Sequence, residues 1–250
     1  MQAKYDEISN FYTRFVRDNE QYAGSVVHLL AAKLLVLLGD IQGQSVCDLA
    51  CGEGHLSRAI AQQGANVVGI DISVKLLAQA REQVREIPNV TFQFGDAQAL
   101  TKIDAAVFEH VVSNMAMMDF EDHVAVFASV SRILKPNGMF TFSLLHPCFE
   151  PPFQMPDEIC VLDEQGDFSH LCIKHYLREG YWQSGGDGIR GRIGAYHRML
   201  STYTNDLLAV GFQIAGMHEP TLSPGDYNTV AEQWLNVIPR GLIIQARKGC

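Results

Sequence analysis

The sequence predicts an α/β fold built on a parallel sheet with right-handed crossovers. Three observations lead there. Five short apolar strand signals recur between Ser45 and Leu144, segments of helical periodicity separate them, and glycines or acidic residues stand where the first three strands end.

Residues 6–39 read as two helices. In the second, Leu30, Leu34, Leu37 and Leu38 recur at helical spacing, and the stretch is too short to span a bilayer and is broken by His28 and Lys33. Ser45–Ala50 is an apolar strand, followed by a loop with Gly52 and Gly54. A helix through Leu56, Ile60 and Ala61 is stopped by Gly64, and Asn66–Asp71 forms the next strand. Ser73 is placed to cap a helix with Leu76, Leu77, Ala80 and Val84 on its apolar face, ended by Ile87-Pro88. Strand Val90–Phe94 runs into Gly95-Asp96. Strand Phe108–Ser113 precedes a helix with Val126, Phe127, Val130, Ile133 and Leu134 on one side. Lys135-Pro-Asn-Gly138 is expected to turn the chain into strand Met139–Leu144.

Beyond His146 the periodicity is lost until about Tyr196. Pro147, Pro151, Pro152, Pro156 and the tract Ser184-Gly-Gly-Asp-Gly188 mark an insertion too long for a plain loop and expected to cover a site. A helix over 201–210 and strands at 212–217 and 242–246 complete the pattern. The chain thus reads as one domain over 1–250: an N-terminal helical lid at 1–40, a sheet core at 41–145 and 197–250, and a substrate-covering insertion at 146–196.

The 28 acidic and 19 basic residues give a net charge of −9, so no footprint for nucleic acid or an anionic membrane is expected. An RNA substrate is correspondingly disfavoured. Six scattered cysteines without a C-x-x-C pair suggest free thiols in a reducing, cytoplasmic compartment. His170, Cys172 and His175, with His146 and Cys148 upstream, lack zinc-site spacing, and no metal is expected. Met117 and Met118 read as core filling.

In an open parallel sheet, ligands sit beyond the carboxyl ends of the strands. There the first strand ends in Asp48-Leu-Ala-Cys-Gly52-Glu-Gly54, the second in Asp71 and the third in Gly95-Asp96. Glycines let backbone approach a ligand, an acid at position 71 can accept both hydroxyls of a ribose, and Asp96 lies within reach of an adenine amino group. A dinucleotide fingerprint would require glycine where Ser57 stands, and Asp48 and Glu53 bracket the place a pyrophosphate would occupy. A cationic, phosphate-free nucleoside, S-adenosyl-L-methionine, suits that loop better. The competing readings are a nicotinamide-dependent reductase and a protein that holds the cofactor without transferring methyl. Asp71 could instead only cap the following helix, Asp96 only shape a turn, and Asp48 only brace the loop.

Val46-Cys-Asp-Leu-Ala-Cys-Gly-Glu-Gly54, Gly69-Ile-Asp-Ile-Ser73, Gly95-Asp-Ala97 and Leu134-Lys-Pro-Asn-Gly138 together resemble the ordered motifs of class I S-adenosylmethionine-dependent methyltransferases, and more narrowly their small-molecule type 11 group. The resemblance covers residues 40–145 and resumes at 197–250. It implies a Rossmann-like, doubly wound sheet of seven strands with the last strand antiparallel. It implies methyl transfer to a small-molecule acceptor at an O, N or C nucleophile by in-line displacement. Ala50, Gly52 and Gly54 would form the methionine-end loop, Asp71 with Ile72 would meet the ribose, and Asp96 and Ala97 the adenine. Asp48 is counted with them as a cofactor-binding position, and Asn114 and Met115 would lie where the fourth strand ends. Ala50 stands where the family often has glycine. Ser113-Asn-Met-Ala-Met117 departs from the Asn/Asp-Pro-Pro-aromatic motif of amino-directed DNA and protein-glutamine methyltransferases, which makes those substrates unlikely to fit.

His146, directly after the fifth strand, and His197 are candidates for a substrate or proton-accepting role, histidine being the side chain best suited to take a proton near neutral pH. Tyr5 and Tyr12 either close over the cofactor or pack within their helix. Phe149, Phe153, Tyr176, Tyr181 and Trp182 could line an acceptor pocket.

Overall fold

The computed structural model describes residues 4–20, 26–150, 152–154, 158–221 and 237–249. Two helices open the described chain, α1 (Lys4–Glu20) and α2 (Val26–Leu38). Strands β1 (Ser45–Leu49), β2 (Asn66–Asp71), β3 (Val90–Phe94), β4 (Phe108–Ser113) and β5 (Leu134–Leu145) alternate with helices α3 (His55–Gln62), α4 (Val74–Gln83) and α5 (His123–Ile133). After the insertion come α7 (Leu200–Ala209), β10 (Phe212–His218) and β11 (Gly241–Lys248).

These seven strands form one sheet in the order β10-β11-β5-β4-β1-β2-β3. β1 to β5 run parallel, whereas β11, last in the chain, lies antiparallel between β5 and β10. The strand order reverses between β1 and β4, and the crevice for a ligand opens at that reversal.

Both faces of the sheet are covered, as crossover helices require. One core layer is aromatic: Phe127 of α5 meets Phe140 and Phe142 of β5, with Tyr203 and Leu207 of α7 beside them. The opposite layer is aliphatic, with Leu30 and Leu34 of α2, Ile60 of α3 and Leu77 of α4. Ser73 accepts a hydrogen bond from the Leu76 amide at 3.1 Å, capping α4 as its position predicts. No helix among the described residues is long and apolar enough to cross a membrane.

Three local expectations are corrected. Leu134 leaves the helix face and opens β5, its backbone extended and paired with Phe108, because Pro136 disfavours helical geometry just before it. The expected turn at 135–138 is an excursion inside β5: Phe108 faces Leu134, yet His110 faces Met139, with Asn137 in the left-handed region at φ 62°. The insertion is not irregular throughout. Strands β6 (Cys160–Leu162) and β7 (Phe168–Leu171) pair, as do β8 (Gly180–Trp182) and β9 (Ala195–His197), with the short helix α6 (Ile189–Ile193) between the latter two. Strands of three or four residues are too short to register as periodicity.

α1 is fastened along α4. The Asp6 carboxylate accepts from the Ser73 hydroxyl at 2.5 Å and from the Lys75 amide at 3.2 Å, so an N-terminal acid joins the positive end of α4. That brings the N-terminal segment over the carboxyl ends of β1 and β2.

Candidate functional site

A cleft enclosing about 1170 Å³, part of it open to solvent, lies over the ends of β1, β2, β3 and β4, which is ample for a drug-sized ligand. Of the ten positions singled out for the cofactor, eight line it: Ala50, Gly52, Asp71, Ile72, Asp96, Ala97, Asn114 and Met115. Asp48 and Gly54 do not. Asp48 lies beneath the loop at the end of β1, 1% exposed, and accepts from the Ser57 hydroxyl at 2.5 Å. Gly54 precedes α3 as its N-cap, with φ 84°.

The loop after β1 is held in a conformation few residues adopt. Ala50 has φ 58° and Gly52 φ 57°. Met115, on the opposite wall after β4, has φ 57°. Non-glycine residues in this region cost about 1–2 kcal/mol each, and such strain collects at ligand sites. Gly52 is required for a second reason: a Cβ there would stand 3.3 Å from Cε1 and the hydroxyl of Tyr12. Tyr12 of α1 therefore lies directly on the glycine loop.

Asp71 ties the loop to the second strand. One carboxylate oxygen accepts from the Gly52 amide at 2.8 Å, the other from the Ser73 amide at 2.7 Å. The carboxylate also feels the Ile72 amide, and the residue lines the cleft. Asp96 caps its own turn by accepting from the Gln98 amide at 2.9 Å. Asn114 is oriented by the Ser143 hydroxyl, 2.6 Å from its Oδ1, while its amide donates to the Val27 carbonyl at 3.3 Å.

Negative charge dominates here. Asp48, Glu53 and Asp71 are all buried, and none has a Lys or Arg ion-pair partner among the described residues. Glu53 accepts from the Gln83 side-chain amide. Burial pushes the Asp48 carboxyl up to about 7 against the opposing pull of Ser57, with the neighbouring Asp71 and Glu53 adding to the rise. Asp71 is raised as well, by burial, while its backbone donors hold it down. A carboxyl whose pKa is higher folded than unfolded stabilises the fold fully only below its unfolded value, and that contribution fades as pH climbs through about 7. Thermal unfolding of the ligand-free protein should accordingly show stability declining between about pH 4 and pH 8, and Asp48→Asn should flatten that slope. An unchanged slope would remove Asp48 as its source.

The far wall of the cleft comes from segments distant in sequence. The Tyr5 hydroxyl donates to Asp119 at 2.7 Å. Arg190 of α6 pairs with the other oxygen of Asp119 and donates to the Gly194 carbonyl at 2.9 Å. Burial and Asp119 push the Tyr5 hydroxyl well above its ordinary pKa, so it stays a donor. Lys4 lies over the Tyr181 ring at 4.4 Å, and Tyr181 donates to the Ile193 carbonyl at 3.0 Å. α1 and the insertion thus meet across the cleft, on Asp119.

Sequence reasoning overlooked Asp119, Arg190, Glu121 and Tyr196. The one local signal was the position of Asp119 and Glu121 shortly after β4.

The two histidines stand elsewhere. His146 is 1% exposed, hydrogen-bonded through Nε2 to Glu219 at 2.8 Å and accepting at Nδ1 from the Cys148 amide at 3.1 Å. Its backbone amide bonds the Arg240 carbonyl at 2.8 Å, which turns the residue toward the loop before β11 and away from the cleft. His197 spends Nε2 on the Tyr176 carbonyl at 2.8 Å. Burial lowers the pKa of both rings. Of the five aromatics expected to line the acceptor pocket, only Tyr181 does. Trp182 instead joins the core, because alternate residues of β8 face opposite sides; Phe153 lies under Arg178, and Tyr176 packs on His197. No group of three or more His, Cys, Asp or Glu side chains among the described residues could hold a metal ion.

The chemistry of this donor set fits an adenosine carrying positive charge. Buried carboxylates without cationic partners surround a loop that a Cβ would obstruct, and a pyrophosphate there would meet charge of its own sign.

A family described as "Methyltransferase domain" matches residues 41–178. The crystal structure of an S-adenosylmethionine-dependent methyltransferase from Mesorhizobium loti is similar over 87% of this chain and 96% of that one, with 29% identity and a TM-score of 0.72. A Haemophilus influenzae protein of uncharacterised function is 27% identical over 225 residues, 86% of this chain and 85% of that protein. The ubiquinone biosynthesis O-methyltransferase of Paracidovorax citrulli is 32% identical over 111 residues, 44% of this chain, so that match spans about half of that relative's length, 47%. With the family match covering more than half the chain and the seven-stranded sheet similar to that of a solved S-adenosylmethionine-dependent methyltransferase, the chain belongs to the methyltransferase domain family and is an S-adenosyl-L-methionine-dependent methyltransferase of the class I, Rossmann-like kind.

Proposed function

We propose that the acceptor is a small molecule enclosed beneath α1 and the insertion. The observation that carries this reading is the closure of the cleft. Tyr5, Asp119 and Arg190 join three remote segments across it, which covers part of the cleft and leaves less of an open groove for a polymer. The net charge of −9 runs the same way, since it offers no attraction to a phosphate backbone.

In this reading Asp71 accepts from the ribose hydroxyls, Asp96 and Ala97 meet the adenine with Ile72 beside them, and Ala50 and Gly52 carry the methionine end. Asp48 and Gly54 act from behind, Asp48 as a counter-charge and Gly54 by setting the start of α3. Asn114 and Met115 stand between this half of the cleft and the half walled by Tyr5, Tyr12 and Tyr181. When bound, S-adenosyl-L-methionine supplies a methyl carbon already activated by its sulfonium. The chain's task is alignment and exclusion of water, an effect that can supply roughly 7–11 kcal/mol. Tyr12 and the strained Ala50 and Met115 are the rigid parts that hold such alignment. With His146 and His197 outside the cleft, neither is assigned the role of base, and the nucleophile is a group already unprotonated or relieved of its proton by solvent.

The test is methyl-labelled cofactor offered to three fractions: metabolites, folded RNA and protein. Label recovered in the metabolite fraction, with release of S-adenosylhomocysteine, is the expected result. Label confined to RNA or protein would overturn the small-molecule reading and leave the cofactor assignment standing.

A further inference from the structure

Beside the main cleft lies a second, smaller one. It shares Ala195 and Tyr196 with its neighbour, and Leu144, Leu145, Trp182 and Arg198 complete much of its wall. It encloses about 300 Å³ against about 1170 Å³ in the main cleft, part of each open to solvent.

Arg198 is 7% exposed, with the Glu179 carboxylate near enough to feel its charge and the Tyr203 hydroxyl beside it, but with no carboxylate in direct contact among the described residues. One terminal nitrogen, Nη2, donates to the carbonyls of Phe120 at 2.8 Å and Glu121 at 2.6 Å, two residues that line the main cleft. The other, Nη1, is buried with no hydrogen-bond partner. The rings of Tyr196 and Tyr203 lie 5.3 and 5.9 Å from the guanidinium carbon. No carboxylate forms an ion pair with Arg198 among the described residues, whereas Arg190 has Asp119 and Arg240 has Glu150. Glu150 also lines the small cleft, but its two oxygens are engaged by Arg240, so it does not neutralise Arg198.

A buried guanidinium without a carboxylate in direct contact, and with a terminal nitrogen that has no hydrogen-bond partner, is costly unless something negative completes it. We propose that Arg198 is a specificity-determining residue that receives a carboxylate borne by the methyl acceptor, reaching past Ala195 and Tyr196 from the main cleft. A planar guanidinium fork suits a planar carboxylate. The inference rests on the small-molecule reading above and narrows it to acceptors that are acids.

The test uses the folded chain saturated with S-adenosylhomocysteine and two matched probes, benzoate and benzamide, titrated by calorimetry. Benzoate should bind about tenfold or more tightly than benzamide, since charge-assisted hydrogen bonds exceed neutral ones by at least that factor. Arg198→Met should erase the preference, bringing benzoate down to the affinity of benzamide. Arg198→Lys, which keeps the charge without the fork, should retain a weakened preference and serves if the Met variant does not fold. Equal binding of the two probes, no binding of benzoate, or a preference that survives either substitution in full would overturn the proposal. Acetate binding as tightly as benzoate would assign the cleft to a free small anion and overturn the acceptor role.

Discussion

Replacing Asp71 by alanine should weaken binding of S-adenosylhomocysteine by roughly a hundredfold or more. Two ribose hydroxyls on one carboxylate are worth about 1.5–3 kcal/mol each, which corresponds to at least two orders of magnitude together. The loss has a second source. The Gly52 and Ser73 amides that Asp71 now accepts from, at 2.8 and 2.7 Å, would be left without that partner, loosening the loop itself. Asp71→Asn separates the two. Its amide oxygen can still accept one backbone bond, so the loop is partly kept while the charge is gone. Calorimetry should find Asn intermediate and Ala weakest. Alanine binding within a few-fold of the natural protein would show that the ribose is held elsewhere.

Gly54→Ala should destabilise the fold by about 2–5 kcal/mol. At φ 84° an L side chain is strained by about 1–2 kcal/mol, and a Cβ would stand 2.8 Å from the Phe92 ring and 3.0 Å from the Ala80 Cβ. Overpacking of that kind costs typically about 1–3 kcal/mol more, because Phe92 and Ala80 belong to the packed layer between β3 and α4 and have little room to yield. Gly43→Ala supplies the control. Its φ is 73°, yet nothing lies within 4 Å of its Cβ position, so only the conformational part should appear. Urea unfolding of both variants gives the difference directly. Equal losses would mean that the clash is relieved and that backbone strain alone sets the need for glycine at position 54.

The parts of the site legible in the sequence are those built by short, continuous stretches. The glycine loop after β1, Asp71 at the end of β2 and Asp96 after β3 each belong to one strand and the turn that leaves it. A parallel sheet brings those turns to a common edge whatever the helices do. The histidines show the limit of that reasoning. Position after β5 suggested that His146 faces the cleft, but a single backbone bond to Arg240, some ninety residues on, decides the direction in which it turns.

The sequence by itself determined the alternation of strands and helices, the capped start of α4 and the acidic, glycine-bearing ends of the first three strands. All follow from local periodicity and turn chemistry. Tertiary structure alone decided what stands opposite them: Tyr5 meets Asp119 across 114 positions, Arg190 reaches the same carboxylate across 71, and Arg198 is enclosed with one terminal nitrogen lacking a hydrogen-bond partner. Contacts between remote segments leave no period in the chain, since each partner satisfies its own local pattern equally well whether or not the other is present.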